Sequence, residues 1–206
     1  MRRLFLTVFS VLFFVPVLAH AHGVNGHIWV TDRAVDLMPE GELKAVLSEP
    51  AVREALQIGS VFPDTGYAIG DAYGEMTHWE PFVEAFIAWV GSNRPPPWTS
   101  VEDRRLIAFF LGAAAHGMED EIFDSLFLPL LEEHDGKGQD VSDTACDVFL
   151  IVDGHSSLKP PLWVPAPEMA AIIAQMGHDV AEKTFVDGME KTGGFPLLIR
   201  PSPSRG

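Results

Sequence analysis

The chain is poor in several things, and each shortage excludes something. It has a single cysteine, Cys146, so no disulfide within the chain can staple it. Its stability must come from an apolar core, from bound metal ions, or from both. Cys146 itself reads as a small, buried apolar residue. Lys and Arg together number 14 against 29 Asp and Glu, for a net charge of −15. Basic residues cluster nowhere, which argues against nucleic acid as a partner held through a long phosphate footprint. A small phosphate ester stays accessible if bound cations supply the positive charge. Strand-like alternation, repeats and low-complexity tracts are missing. Only Leu4 to Leu18 forms a long apolar run, and it is shorter than the roughly 20 residues that span a bilayer.

That run has company. Arg2 and Arg3 precede it and Ala19-His20-Ala21 follows it. Charged start, greasy middle and small-x-small end are the pattern of a secretory signal over residues 1–21, cut after Ala21. The reading predicts a secreted or periplasmic chain in which residues 22–206 form one domain. His22 would then open the mature chain. Its α-amine and carbonyl would lie close to the His27 imidazole, and such nitrogens suit zinc-like ions.

The rest reads as helices joined by Gly- and Pro-rich loops. A first helix begins near His27 and stops at Pro39 and Gly41. A second short one follows, and Ser48-Glu49-Pro50 starts another that Gly59 ends. Residues 60–77 read as a loop rich in Gly and Asp. Trp79 to Val90 is amphipathic at helical spacing. Ser100 caps a helix from Val101 to near Leu126 whose apolar residues nearly encircle it, the mark of a central, buried element. Asp143 to Val152 and Glu168 to Glu190 supply the last helices, before a frayed tail beyond Gly193. The five tryptophans read as core and loop packing, and His155 and His178 as ordinary surface or cap residues. The expected class is all-α, a compact multi-helix bundle.

Chemistry concentrates on the central helix. His116, Asp120 and Asp124 stand at i, i+4 and i+8 on one stripe. An imidazole and two carboxylates are costly to bury on so apolar a helix without partners. Metal ions are the obvious partners, and the alternative is a solvated acidic helix end. Asp64, in Val61-Phe62-Pro63-Asp64-Thr65, and His78, in Met76-Thr77-His78-Trp79, are further potential ligands beside helix starts.

Taken in order, the set is more specific than its parts. Gly23-Val24-Asn25-Gly26-His27-Ile28-Trp29, followed by Asp32-Arg33-Ala34-Val35-Asp36-Leu37-Met38, resembles the start of the zinc-dependent phospholipase C family, shared with the N-terminal region of GPI-specific phospholipase D. The resemblance covers roughly residues 23–146. It implies an all-α bundle with metals in a cleft. It also implies zinc held by His22, His27, Asp64, His78, His116 and Asp120, with Asp120 bridging two ions. Hydrolysis of a phospholipid or other small phosphodiester by metal-activated water would follow, with Asp64 orienting or deprotonating the water at a membrane surface that the chain does not span.

The third metal position departs from the family pattern. Asp124 stands where the phospholipase D branch has a His. The usual second His-x-x-x-acid pair is replaced by Gln139 with Asp143, Asp143 with Asp147, or His134 with a nearby carboxylate. Asp124 and Asp143 are therefore candidates for a harder cation than zinc. Two other functions stay open: a metal-binding exported protein without turnover, and a nuclease-like phosphodiesterase.

Overall fold

Ser100 begins the helix around which the rest of the molecule is arranged. Its hydroxyl accepts from the Asp103 N–H at 3.0 Å, satisfying a donor that the first turn leaves open. The computed structural model describes residues 23–136, 138–155 and 163–193. Residues 1–21, where the sequence predicts a secretory signal, His22 and the tail beyond Gly193 lie outside the described residues.

In chain order the elements are α1 (Val24–Leu37), α2 (Glu42–Leu47), α3 (Pro50–Ile69), α4 (Tyr73–Thr77), α5 (Glu80–Asn93) and α6 (Val101–Ile122). A π-helical turn (Phe123–Phe127) leads into α7 (Leu128–Asp135), and α8 (Gln139–Val152), α9 (Ala166–Gln175) and α10 (Glu182–Gly193) follow. No strand occurs among the described residues. The all-α reading therefore holds. Among the described residues no helix is long and apolar enough to cross a membrane.

The core forms where α3 crosses α6. Phe62, Phe109 and Tyr73 are fully buried there, and Phe185 of α10 packs into the same cluster with Met169, Ile172 and Ile173 of α9. Burying each such side chain stabilises the fold by about 1.5–3 kcal/mol. A second, smaller cluster of Val35, Leu47, Val52 and Leu56 with Ala108 seats α1 and α2. Polar bonds fix α1 as well: Arg53 Nη2 donates to the Asp32 carbonyl at 2.7 Å and Gln57 to the Asp32 carboxylate at 2.8 Å.

Two sequence expectations are corrected. Gly59 does not end a helix and residues 60–77 are not a loop, because α3 runs on to Ile69 and stops at Gly70, whose φ is +70°. Gly59 is needed for proximity instead. A Cβ there would fall 2.0 Å from the Phe109 carbonyl oxygen, and one on Gly112 would fall 2.1 Å from that of Leu56. A residue read as a break is the one that lets two helices touch. The second correction concerns α6, which gives way to the π turn at Phe123 rather than staying α-helical to Leu126. The tryptophans divide. Trp89 is buried and Trp98 and Trp163 pack on the core, whereas Trp29 and Trp79 are exposed.

Candidate metal centre

Successive turns of α3 face successive turns of α6, and the contact changes character along the pair. Leu56 lies over Gly112. One turn on, Ser60 meets His116, and one turn further Asp64 lies near His116 as well. Pro63 shapes this stretch. It has no N–H to give the Gly59 carbonyl, and a proline inside a helix disturbs the turn before it. In that turn the Ser60 carbonyl accepts from His116 Nδ1 at 2.7 Å.

His27 enters from α1 and His78 from the α4–α5 junction. Gly117 admits the latter, since a Cβ there would lie 2.3 Å from the His78 carbonyl oxygen. The His27 ring stacks on His116 with centroids 3.9 Å apart. His27 Nε2 lies 3.6 Å from Asp64 Oδ2 and 3.6 Å from Asp120 Oδ1. His78 Nε2 lies 3.6 Å from Asp64 Oδ1 and 3.6 Å from Asp120 Oδ2. His116 Nε2 is 3.2 Å from Asp120 Oδ2 and 2.9 Å from His78 Nε2. His27, Asp64, His116 and Asp120 are all buried.

These spacings match what a metal asks. Ligands about 2.1 Å from a tetrahedral zinc ion stand about 3.4 Å from one another. The ring orientations agree. His78 Nδ1 faces the Gly74 carbonyl at 2.6 Å, His116 Nδ1 the Ser60 carbonyl, and His27 Nδ1 the Glu119 carboxylate at 2.9 Å. Carbonyls and carboxylates only accept, so each Nδ1 carries the proton and each Nε2 turns a lone pair inward. Two lone pairs 2.9 Å apart beside two carboxylates call for positive charge between them. The donors form two overlapping groups: His27, His116 and Asp120, and Asp64, His78 and His116. Without an ion, a proton serves. Burial alone would push the His116 imidazolium down, but the charge of Asp64 and the bonds to Asp120 and Ser60 raise its pKa to about 9. Burial likewise raises Asp120, yet the bond to His116 and the charges of His116 and His27 hold its carboxyl below the ordinary value. Asp120 Oδ1 is buried and makes no hydrogen bond, as a metal-facing oxygen would be.

Comparison with known proteins fits this geometry. Residues 26–122 match the family described as zinc dependent phospholipase C. Over that stretch the chain is similar to the zinc-dependent phospholipase C family. Phosphatidylinositol-glycan-specific phospholipase D of Bos taurus is 32% identical over 112 residues, covering 50% of this chain and 13% of that protein. The Rattus norvegicus enzyme of the same name is 31% identical over 134 residues, covering 60% and 16%. That of Dictyostelium discoideum is 33% identical over 75 residues, covering 35% and 8%. The chain thus spans less than a fifth of the length of each relative. No solved structure gives a significant match. All five of the converging residues lie inside the stretch that matches the zinc-dependent phospholipase C family.

The remaining sequence candidates lie elsewhere. Asp124 is exposed on the π turn and Asp143 is buried on α8, and neither belongs to the two donor groups. His134 is exposed and pairs with Asp135 at 2.7 Å. Asp147 works at a helix end. It accepts from the backbone N–H of Gly26 at 2.9 Å and of Asn25 at 3.3 Å, which fixes the first turn of α1 and so the approach of His27. Burial raises the Asp147 pKa, and the two N–H bonds only partly offset it.

Sequence reading passed over Glu119, which holds His27, and Thr31, whose hydroxyl donates to the same carboxylate at 3.0 Å. A usable signal was present. Glu119 adjoins Asp120, and Thr31 follows His27 by one helical turn. Near the centre, the Tyr67 ring lies 4.9 Å from that of His78. The Tyr67 hydroxyl and the Trp79 N–H both donate to Glu75, at 2.5 and 2.7 Å. Burial, reinforced by Glu75, raises the Tyr67 phenol well above its usual range, so it keeps its proton at neutral pH.

Proposed function

We propose that the chain is an exported, zinc-dependent phosphodiester hydrolase of phospholipase C type. One observation carries the reading: three imidazole Nε2 atoms and two carboxylates converge, with every imidazole backed at Nδ1 by an acceptor. Asp64, His78, His116 and Asp120 would hold one ion. His27 and Asp120, joined by the amine and carbonyl of His22, would hold a second. A divalent ion there supplies Lewis acidity toward phosphoryl oxygen and makes a bound water more acidic. The chain's own residues position the reaction. The Asp64 oxygens face His27 and His78 at 3.6 Å, which suits Asp64 to orient a water and accept its proton. The fixed Nδ1 protons keep the three rings from turning.

The substrate fitting this site is a phospholipid or another small phosphodiester. A chain of net charge −15 repels a polyanion, which disfavours nucleic acid. Export rests on the signal pattern of residues 1–21.

Purified protein should contain zinc by elemental analysis. It should hydrolyse a chromogenic phosphodiester and phosphatidylcholine micelles, and lose both activities to chelation. Zinc binding without hydrolysis would replace this reading with a metal-binding protein that does not turn over, and cleavage confined to single-stranded DNA would make it a nuclease. N-terminal sequencing of exported protein should begin at His22, whereas a cytosolic chain retaining residues 1–21 would overturn export.

A further inference from the structure

The three histidines are not backed alike. His78 and His116 give their Nδ1 protons to neutral backbone carbonyls, of Gly74 and Ser60, whereas His27 gives its proton to a carboxylate. Glu119 is held from two sides. Its Oε2 lies 2.9 Å from His27 Nδ1 and its Oε1 accepts from the Thr31 hydroxyl at 3.0 Å. His27 and Thr31 are one turn apart on α1, so the carboxylate grips one face of that helix and aims the ring. Glu119 is mostly buried against a fully buried His27, with side chains 10% and 0% exposed, and water competes little for the bond.

We propose that Glu119, oriented by Thr31, is a positioning residue that makes His27 a stronger metal donor than the other two histidines and so sets the two ion positions apart. A carboxylate behind an imidazole fixes its tautomer and raises its basicity. Losing such a partner typically weakens metal binding about 10- to 100-fold. The effect should fall on the position that uses His27. The Asp64–His78–His116 position, backed by carbonyls, should keep its affinity. The inference rests on the metal-site reading above and adds an inequality between its two halves.

Chelator competition on the full purified chain, with zinc as probe, tests it. In Glu119→Gln one zinc equivalent should weaken about 10- to 100-fold while the other is unchanged. Glu119→Asp should restore part of the loss, and Thr31→Val should produce a smaller loss at the same equivalent. Nitrogen-15 spectra of His27 should show a protonated Nδ1 in the wild type and a mixture of tautomers in Glu119→Gln. If Glu119 merely clamps α1 to α6, Glu119→Gln and Thr31→Val will lower the melting temperature together and leave zinc affinity and tautomer alone. That result overturns the proposal and spares the proposed activity. Two unequal zinc equivalents without hydrolysis would do the reverse, and a wild type that binds no zinc would overturn both.

Discussion

The α3–α6 pair contains two regions built on opposite rules. Around Leu56, Phe109 and Gly112 the helices touch backbone to backbone, and the side chains around them are aromatic or aliphatic. Two turns further along, the same helices present Asp64, His116 and Asp120. The apolar region is stabilised by contacts without fixed direction, so shape and volume decide its energy. The polar region loses stability unless positive charge is supplied, because two carboxylates and three inward lone pairs are buried together. The first holds the second in place. A misplacement of about 1 Å is tolerable among methyl groups and costly among ligands.

The comparison can be broken first on the apolar side. Phe62→Ala should cost about 3–5 kcal/mol, seen as a large fall in the denaturation midpoint, with zinc present or absent. On the polar side, Asp120→Asn should leave the helical circular dichroism intact but abolish zinc-dependent stabilisation. In the wild type that stabilisation amounts to about 2.7 kcal/mol at free zinc a hundredfold above Kd, and a pair of thermal melts with zinc and with chelator reads both.

Proton and metal should compete at the centre, which sharpens the contrast. In metal-free protein the His116 pKa is raised from 6.5 to about 9. The folded state therefore binds this proton more tightly than the unfolded chain. Its contribution is complete below pH 6.5 and disappears as pH rises through about 9. Chelated protein should accordingly melt at falling temperature across that window, while zinc affinity rises with pH. A melting temperature that is flat between pH 6 and 10 in chelator would remove the proton from the centre. The smallest effect belongs to the start of α6. Ser100→Ala should cost about 1 kcal/mol through the lost cap, and leave zinc affinity unchanged.

Much of the fold was legible, for local reasons. Helical periodicity, the Ser100 cap and the i, i+4 relation of His116 to Asp120 are all set within one element. The errors came where a residue's role depends on a distant neighbour. Gly59 read as the end of a helix because its intrinsic preference says so, yet packing against Phe109 and the bond from His116 to Ser60 keep that segment helical. Asp147, one of the alternatives for the second acidic pair, accepts the N–H groups at the start of α1 because α8 is set against that helix start. Asp124 sat on the ligand stripe by counting, and the π turn at Phe123–Phe127 interrupts that count.

The amino-acid order alone determined the all-α class, the buried central helix and an inventory of nitrogen and oxygen donors, because these follow from periodicity and side-chain chemistry. Tertiary structure alone decided that His27, Asp64 and His78 come to one point with His116 and Asp120, that each Nδ1 meets an acceptor, and that Glu119 stands behind His27. Convergence of groups far apart in the chain depends on how helices cross, and crossings are fixed by packing between whole surfaces rather than by any local run of residues.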